Sequence, residues 1–395
     1  MDEVVWLGTV FSAKAFRASL QSSDNIFSPG CAVFFTARPW GCIYSHPQVE
    51  IMITLQKMRP EDKLLFVLAR QEFLHTHQKT VLDICSSEEI RWDIVYSTAK
   101  LHGVAPLIYS NLRQCNSVEL GIPQDIMEQF KLYSYRNVVM EKCKTEKLME
   151  VLSLLNRKCI DVMFIKGVAL DVLVYDHSWF TIKNDVDLLL RSKREEVADK
   201  DILEIWNLIK SRGVECGYFE HHDIDLGFLP INFLQIWNEA VKIKFKGYDV
   251  FVMSPEDMLI TSCITSCTKR FFRLKNLCDI AEIINKYSDL EWETVVTKSK
   301  EYHCNNIIYT ALLVTRMTHG CEFPERVLND LAVPSVKSLI IRCIIHNLNQ
   351  HMSLSSLYPF SLENPLERKI NLSVVLPYAT YSWRQVLCKI IRKIR

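Results

Sequence analysis

Apolar positions recur with a helical period along most of this chain, and the period shortens in one central stretch. Residues 1–59 show neither pattern. The run SPGCAVFFTARPWGC mixes Pro, Gly, Cys and aromatic residues, so this first segment is assigned no element. It reads as a small appended layer or as sequence upstream of a start near Met52 or Met58. From Pro60 the pattern is helical. PEDKLLFVLARQEFL opens with proline and two acids, which suit the first turn and the positive end of the helix dipole, and keeps its apolar residues on one face. Further helices are predicted in EEIRWDIVYSTAKLHG, in APLIYSNLR and, at greater length, from Pro123 through Asn156, making 60–158 a helical lead-in.

Residues 159–253 read differently. IDVMFI is a short apolar run that stops at Lys166-Gly167, as a buried strand stops at a turn. VALDVLVY follows as a helix and DVDLLL as a second strand. A charged helix over 194–212 keeps Val197, Ile202, Ile205, Trp206 and Ile209 on one side. The later half of GYFEHHDIDLGFL alternates like a strand, and VKIKFKGYDVFVM predicts a hairpin turning at Lys246-Gly247. Ser254-Pro255-Glu256-Asp257 then starts a helix with a serine N-cap, proline at N1 and two acids. The pattern stays helical through 254–350, and 351–395 is a tail ending in KIIRKIR, predicted as a basic amphipathic terminal helix. A small mixed sheet of three to five strands with helical segments before and after it is an α+β arrangement.

Composition bounds the function classes. Of the 395 residues 49% are hydrophobic and 24% charged, as in a folded globular protein. The formal net charge of +1 gives no field that would attract polyanions in bulk. The 14 cysteines include no CxxC, and Cys263 and Cys267 read as two buried thiols on a helix rather than metal ligands. Scattered cysteines fit a reducing cytoplasm. The opening MDEVVWLG is acidic where a secretory leader is basic, and no apolar run approaches the roughly 20 residues of a membrane span. A soluble cytoplasmic protein is expected.

The candidate chemistry begins at Asp185-Val186-Asp187. On a strand, residues two apart share a face, so both carboxylates converge while Val186 points away. Two carboxylates held together repel unless a cation lies between them, and oxygen donors of this kind suit Mg²⁺. A DxD by itself reads more readily as a surface or strand-end pair than as a metal site. Two features add to it. Asp225, in Asp223-Ile224-Asp225, could supply a third carboxylate from a neighbouring strand. Lys166-Gly167 lies where a strand passes into a helix, so glycine lets backbone approach a phosphate, the helix start offers free N–H groups and lysine adds charge. In this chain order these are the parts of a two-metal phosphoryl or nucleotidyl transfer site. His221-His222 beside Asp223 reads as a solvated strand end rather than a metal corner with Cys216. Trp206 and Trp237 read as core, and Lys242, Lys244 and Lys246 as the wet side of the hairpin.

FIKGVALDVLVY, NDVDLLL, DIDLGF, the stretch from IWNEAVKIKF through SPEDMLITSC, and RLKNLCDIAEII together resemble the "uncharacterised nucleotidyltransferase" family of the polymerase-β-type superfamily. WDIVYSTAKLHGVAPLIYSNL resembles its helical lead-in, so the likeness spans about 60–350. The resemblance implies a nucleotidyltransferase-type sheet and a nucleoside triphosphate substrate. It also implies two Mg²⁺ ions on Asp185, Asp187 and Asp225, with Asp225 as base or as holder of the nucleophile-side metal. It places Lys166 and Gly167 at the phosphate-side turn, Arg273 and Lys275 as nucleotide contacts, and Asp279 as their orienting acid. The implied reaction is in-line attack of an acceptor (small molecule, peptide or RNA) on the α-phosphate. The chain departs from the family pattern in three places. Thr181 stands four residues before Asp185 where members carry arginine, leaving Lys183 as the nearest cation. Gly227 stands where a histidine often follows the third carboxylate, and Cys263, Cys267 or a neighbouring serine where a helix histidine is frequent. The alternatives are a degenerate member that binds nucleotide or a partner without catalysis, and a toxin-like transferase acting on RNA or protein.

Overall fold

The computed structural model describes residues 59–183, 186–192, 215–218, 229–268 and 273–334, together with positions 337 and 341, with backbone alone at 192 and 215–218. The lead-in consists of α1 (Pro60–Leu68), α2 (His75–Ser87), α3 (Trp92–Leu101), α4 (Ala105–Leu112) and α5 (Gln124–Arg157). Helix α1 opens as expected, with Pro60 in its first turn and Glu61 and Asp62 behind it. Both acids are buried against Arg91 and Arg59, each pair at 3.0 Å.

Helix α1 does not run on through residue 74. Arg70 folds back to donate to Phe66 O and Val67 O at 3.1 and 2.8 Å, and the Asn111 amide donates to Leu68 O and Arg70 O at 2.8 and 2.7 Å. These side chains satisfy the last carbonyls, so the helix can stop without a glycine. The chain then forms α2, which the apolar pattern does not announce because Val81 is its one buried residue. The lead-in packs its own core from Leu64, Leu65, Leu68, Trp92, Val95, Ile108, Leu112 and Phe130.

The sheet follows directly. After Cys159, whose φ of +59° turns the chain out of α5, come β1 (Ile160–Phe164), α6 (Lys166–Leu173), β2 (Asp187–Ser192), β3 (Glu215–Tyr218), α7 (Phe233–Glu239), β4 (Val241–Phe245) and β5 (Tyr248–Val252). Five strands are ordered β3-β2-β1-β5-β4. β1 is antiparallel to β2, with Phe164 opposite Leu188, and parallel to β5, with Met163 opposite Phe251. β2 and β3 run parallel. The β4–β5 hairpin turns at Lys246 and Gly247, with φ of +48° and +92°, both positive as a tight two-residue turn requires.

One face of the sheet (Val162, Phe164, Leu188, Leu190, Val250, Val252) rests on Leu148, Val151, Leu152 and Leu155 of α5. The other, through Met163, Ile165 and Leu189, joins the core formed with α8 (Pro255–Thr268), α9 (Leu274–Lys286), α10 (Trp292–Glu301), α11 (Asn305–His319) and α12 (Glu325–Asp330). Strands covered on both faces must be apolar throughout, which is why Leu188, Leu189 and Leu190 follow without alternation. Trp237, Cys263 and Cys267 belong to this core. Burial pushes the Cys263 thiol far above its ordinary pKa, which fits an inert packing role better than ligation. Lys242 and Lys244 are exposed, as expected, and both pair with Asp249. The 1–58 segment, the helix expected over 194–212, His221-His222 and the terminal tail lie outside the described residues.

Candidate functional site

The site is assembled where β1 ends and β2 begins. The antiparallel pairing brings the head of β2 beside the end of β1, and the Ile165 N–H donates to Asp187 O at 3.3 Å. Lys166 is the next residue and opens α6 in the left-handed region, with φ of +51°. A side chain there costs about 1–2 kcal/mol relative to the right-handed region, so the fold strains its backbone at the residue expected to meet phosphate. The Lys166 ammonium reaches back 2.9 Å to Oδ1 of Asp187, and both side chains are mostly buried. Lysine and aspartate, 21 positions apart, are thus brought together.

Gly167 is explained by a close approach. A Cβ there would lie 2.8 Å from Cδ of Lys183 and 3.3 Å from its Cγ. Lys183 was expected on the substrate side, but it is 7% exposed and directs its ammonium into α6, where Asp171 accepts it. Burial holds the Lys183 ammonium below its ordinary pKa, with Asp171 opposing that shift. Burial likewise raises the Asp171 carboxyl to about 7 against the pull of Lys183.

Lys275 and Asp279 form a second buried pair at 2.6 Å on α9, and the Tyr175 hydroxyl donates to the other Asp279 oxygen at 2.8 Å. Burial first, then the Asp279 charge, raises the Tyr175 phenol far above its usual pKa. The Asp279 carboxylate thus holds both Lys275 and the Tyr175 hydroxyl. Arg273 is exposed at the N-cap of α9. Gly103, with φ of +72°, links these parts. Its carbonyl accepts from the Ile182 N–H at 2.9 Å, and its Cα side lies against Ile182 and the Lys275 stem. Asp185 and Asp225 lie outside the described residues. Among the described residues no three His, Cys, Asp or Glu side chains cluster as metal ligands, and no helix is long and apolar enough to cross a membrane.

Sequence reasoning missed Asp171 and Lys144, which hold Lys183 from two sides. Asp171 carried a signal, since it is the one acid in the apolar run VALDVLVY. Lys144 carried none, because it stands among the alternating charges of EKCKTEK on a solvated helix.

The family described as "Uncharacterised nucleotidyltransferase" matches this chain over residues 88–205 and 219–320. No curated protein and no solved structure matches it. The two matched segments make up more than half of the chain and include α3 through α11, with Lys166, Gly167 and Asp187 among them. This chain therefore belongs to the uncharacterised nucleotidyltransferase family.

Proposed function

We propose that this protein is a Mg²⁺-dependent nucleotidyltransferase of the cytoplasm, moving a nucleoside monophosphate from a nucleoside triphosphate to an acceptor nucleophile. The observation that carries the reading is the Lys166–Asp187 contact of 2.9 Å at the head of a central strand, in a chain of this family. The donor chemistry fits the ion: Asp187 offers carboxylate oxygens at a rigid strand end, and Asp185 and Asp225 would complete an all-oxygen set for two Mg²⁺. Bound Mg²⁺ supplies charge neutralisation at the triphosphate and a lowered pKa for the attacking hydroxyl.

The chain's own residues do the rest. Lys166 balances phosphate charge while orienting Asp187. Gly167 leaves room for the Lys183 stem, and the free N–H groups at the start of α6 offer donors to the phosphates. Arg273 and Lys275 contact the nucleotide, with Asp279 fixing Lys275, and Asp225 accepts the proton of the acceptor. The test is incubation of pure protein with each labelled nucleoside triphosphate, Mg²⁺ and a cell extract. A labelled product absent with Asp185→Ala/Asp187→Ala supports transfer, and its class shows whether the acceptor is small molecule, peptide or RNA. Equal labelling, or none, in both proteins refutes transfer.

One observation favours a second reading, a member that binds nucleotide without turnover. Thr181 stands where family members carry an arginine, and it is fully buried with its hydroxyl unpartnered. It offers no cation to substrate. Nucleotide binding that depends on Asp187, without any labelled product, would select this reading.

A further inference from the structure

The stretch that delivers β2 to the site is held by side chains for which the transfer reaction itself has no use. Lys183 lies two residues before Asp185 and four before Asp187. Its ammonium donates to Asp171 of α6 and to Ser178 O at 3.3 Å, and lies 5.4 Å from the Tyr175 ring centroid. Its backbone carbonyl accepts from the Lys144 ammonium of α5, which also pairs with Glu141 at 2.5 Å. One lysine is thus fastened at both ends, by its head to α6 and by its carbonyl to α5. Its stem crosses the phosphate-side turn so closely that Gly167 has no room for a Cβ. The segment that precedes β2 therefore touches the Lys166-Gly167 turn through this stem.

A buried ion pair is a weak source of stability, because desolvation offsets most of the attraction, and a well-packed apolar pair of similar size often does as well. A charged pair does something an apolar pair does not: it fixes direction. The Asp171 carboxylate and the Lys144 ammonium each accept one geometry of the 178–183 segment, and a transfer site tolerates little displacement of its metal carboxylates from the phosphates.

Building on the nucleotidyltransferase reading, we propose that Asp171 and Lys144 are positioning residues, clamping Lys183 so that Asp187, four residues on, stands at a set distance from the Lys166-Gly167 turn. Neither residue touches substrate or metal in this role.

The test is Mn²⁺ binding in the presence of ATP, followed by electron paramagnetic resonance, for wild type, Asp171→Asn, Lys144→Met, Lys144→Arg and Asp187→Ala. Each protein is also checked for cooperative unfolding. Changes in groups that orient metal ligands weaken metal binding by about 10–100-fold, so Asp171→Asn and Lys144→Met should bind Mn²⁺ roughly tenfold more weakly while still folded. Lys144→Arg keeps a donor for the carbonyl and should restore binding to within about twofold of wild type. Unchanged Mn²⁺ affinity in the folded Asp171 or Lys144 variants overturns the proposal. So does loss of cooperative unfolding in both, since the pair would then serve the fold and not the site. If wild type binds Mn²⁺·ATP no better than Asp187→Ala, the nucleotidyltransferase reading itself fails, and that result is recognisable before any clamp variant is compared.

Discussion

Replacing Gly167 with alanine sets two effects of known size against each other. The new Cβ would meet Lys183 at 2.8 Å from Cδ, 3.3 Å from Cγ and 3.4 Å from Cε. A loose lysine stem would swing aside at little cost. This one is held at its ammonium by Asp171 and at its carbonyl by Lys144. Forcing an extra carbon into such packing costs about 1–3 kcal/mol. Alanine gains up to about 1 kcal/mol over glycine in a helix, and Gly167 is the second residue of α6. The net expectation is a loss of about 1–2 kcal/mol. Urea unfolding of Gly167→Ala in the wild-type and Lys183→Ala backgrounds measures it. Without the Lys183 stem the cost should vanish or become a small gain, a coupling of roughly 1–3 kcal/mol. A Gly167→Ala protein as stable as wild type would refute the close-approach account, and so would an equal loss in both backgrounds.

Three further outcomes follow from buried charge. Glu282 accepts the Gln71 N–H at 2.8 Å, and burial, opposed by that bond and by Arg70, raises its carboxyl from 4.5 to about 7. A raised carboxyl pKa means its protonated form is favoured on folding, so this contribution is full below about pH 4.5 and is lost as pH rises through about 7. It amounts to about 3 kcal/mol, and Glu282→Gln should flatten the pH–stability curve in that window; an unchanged slope would contradict it. Lys298 is buried between Asp257, at 2.9 Å, and Glu239. Lys298→Met leaves Asp257 unpaired and should cost about 3–5 kcal/mol in chemical denaturation, whereas a loss below about 1 kcal/mol would mean the pair behaves like a surface one. Cys143 is exposed, while Cys263, Cys267, Cys278, Cys304 and Cys321 are buried. Burial pushes the Cys304 and Cys321 thiols up to about 12, so mass spectrometry after brief alkylation of folded protein should show Cys143 modified and these five protected until denaturant is added. Equal rates would contradict the burial.

Much of the fold was legible because its signals are local. The serine-proline-acid start of α8 works as read: the Asp257 N–H donates to the Ser254 hydroxyl at 3.2 Å. The Lys246-Gly247 turn and the apolar run 188–190 likewise depend on near neighbours. The end of α1 was not legible, since Arg70 and an asparagine some 40 residues away decide it. Helix α2 was missed because a helix with one buried residue has almost no apolar period.

The same division runs through the candidate site. The sequence alone singled out Lys166, Gly167 and Asp187, because a strand end, a turn glycine and a carboxylate on a strand carry their meaning in residue type and spacing. Where Lys183 points was decided only by tertiary structure. A lysine between a threonine-containing loop and a carboxylate pair reads as a cation for substrate. Asp171 from one helix and Lys144 from another, brought beside it by the packing of α5 and α6 around the sheet, make it instead a buried lysine held at its ammonium and at its carbonyl. The partners of a buried charge are far apart along the chain and meet only when the layers close, so no local pattern can announce them.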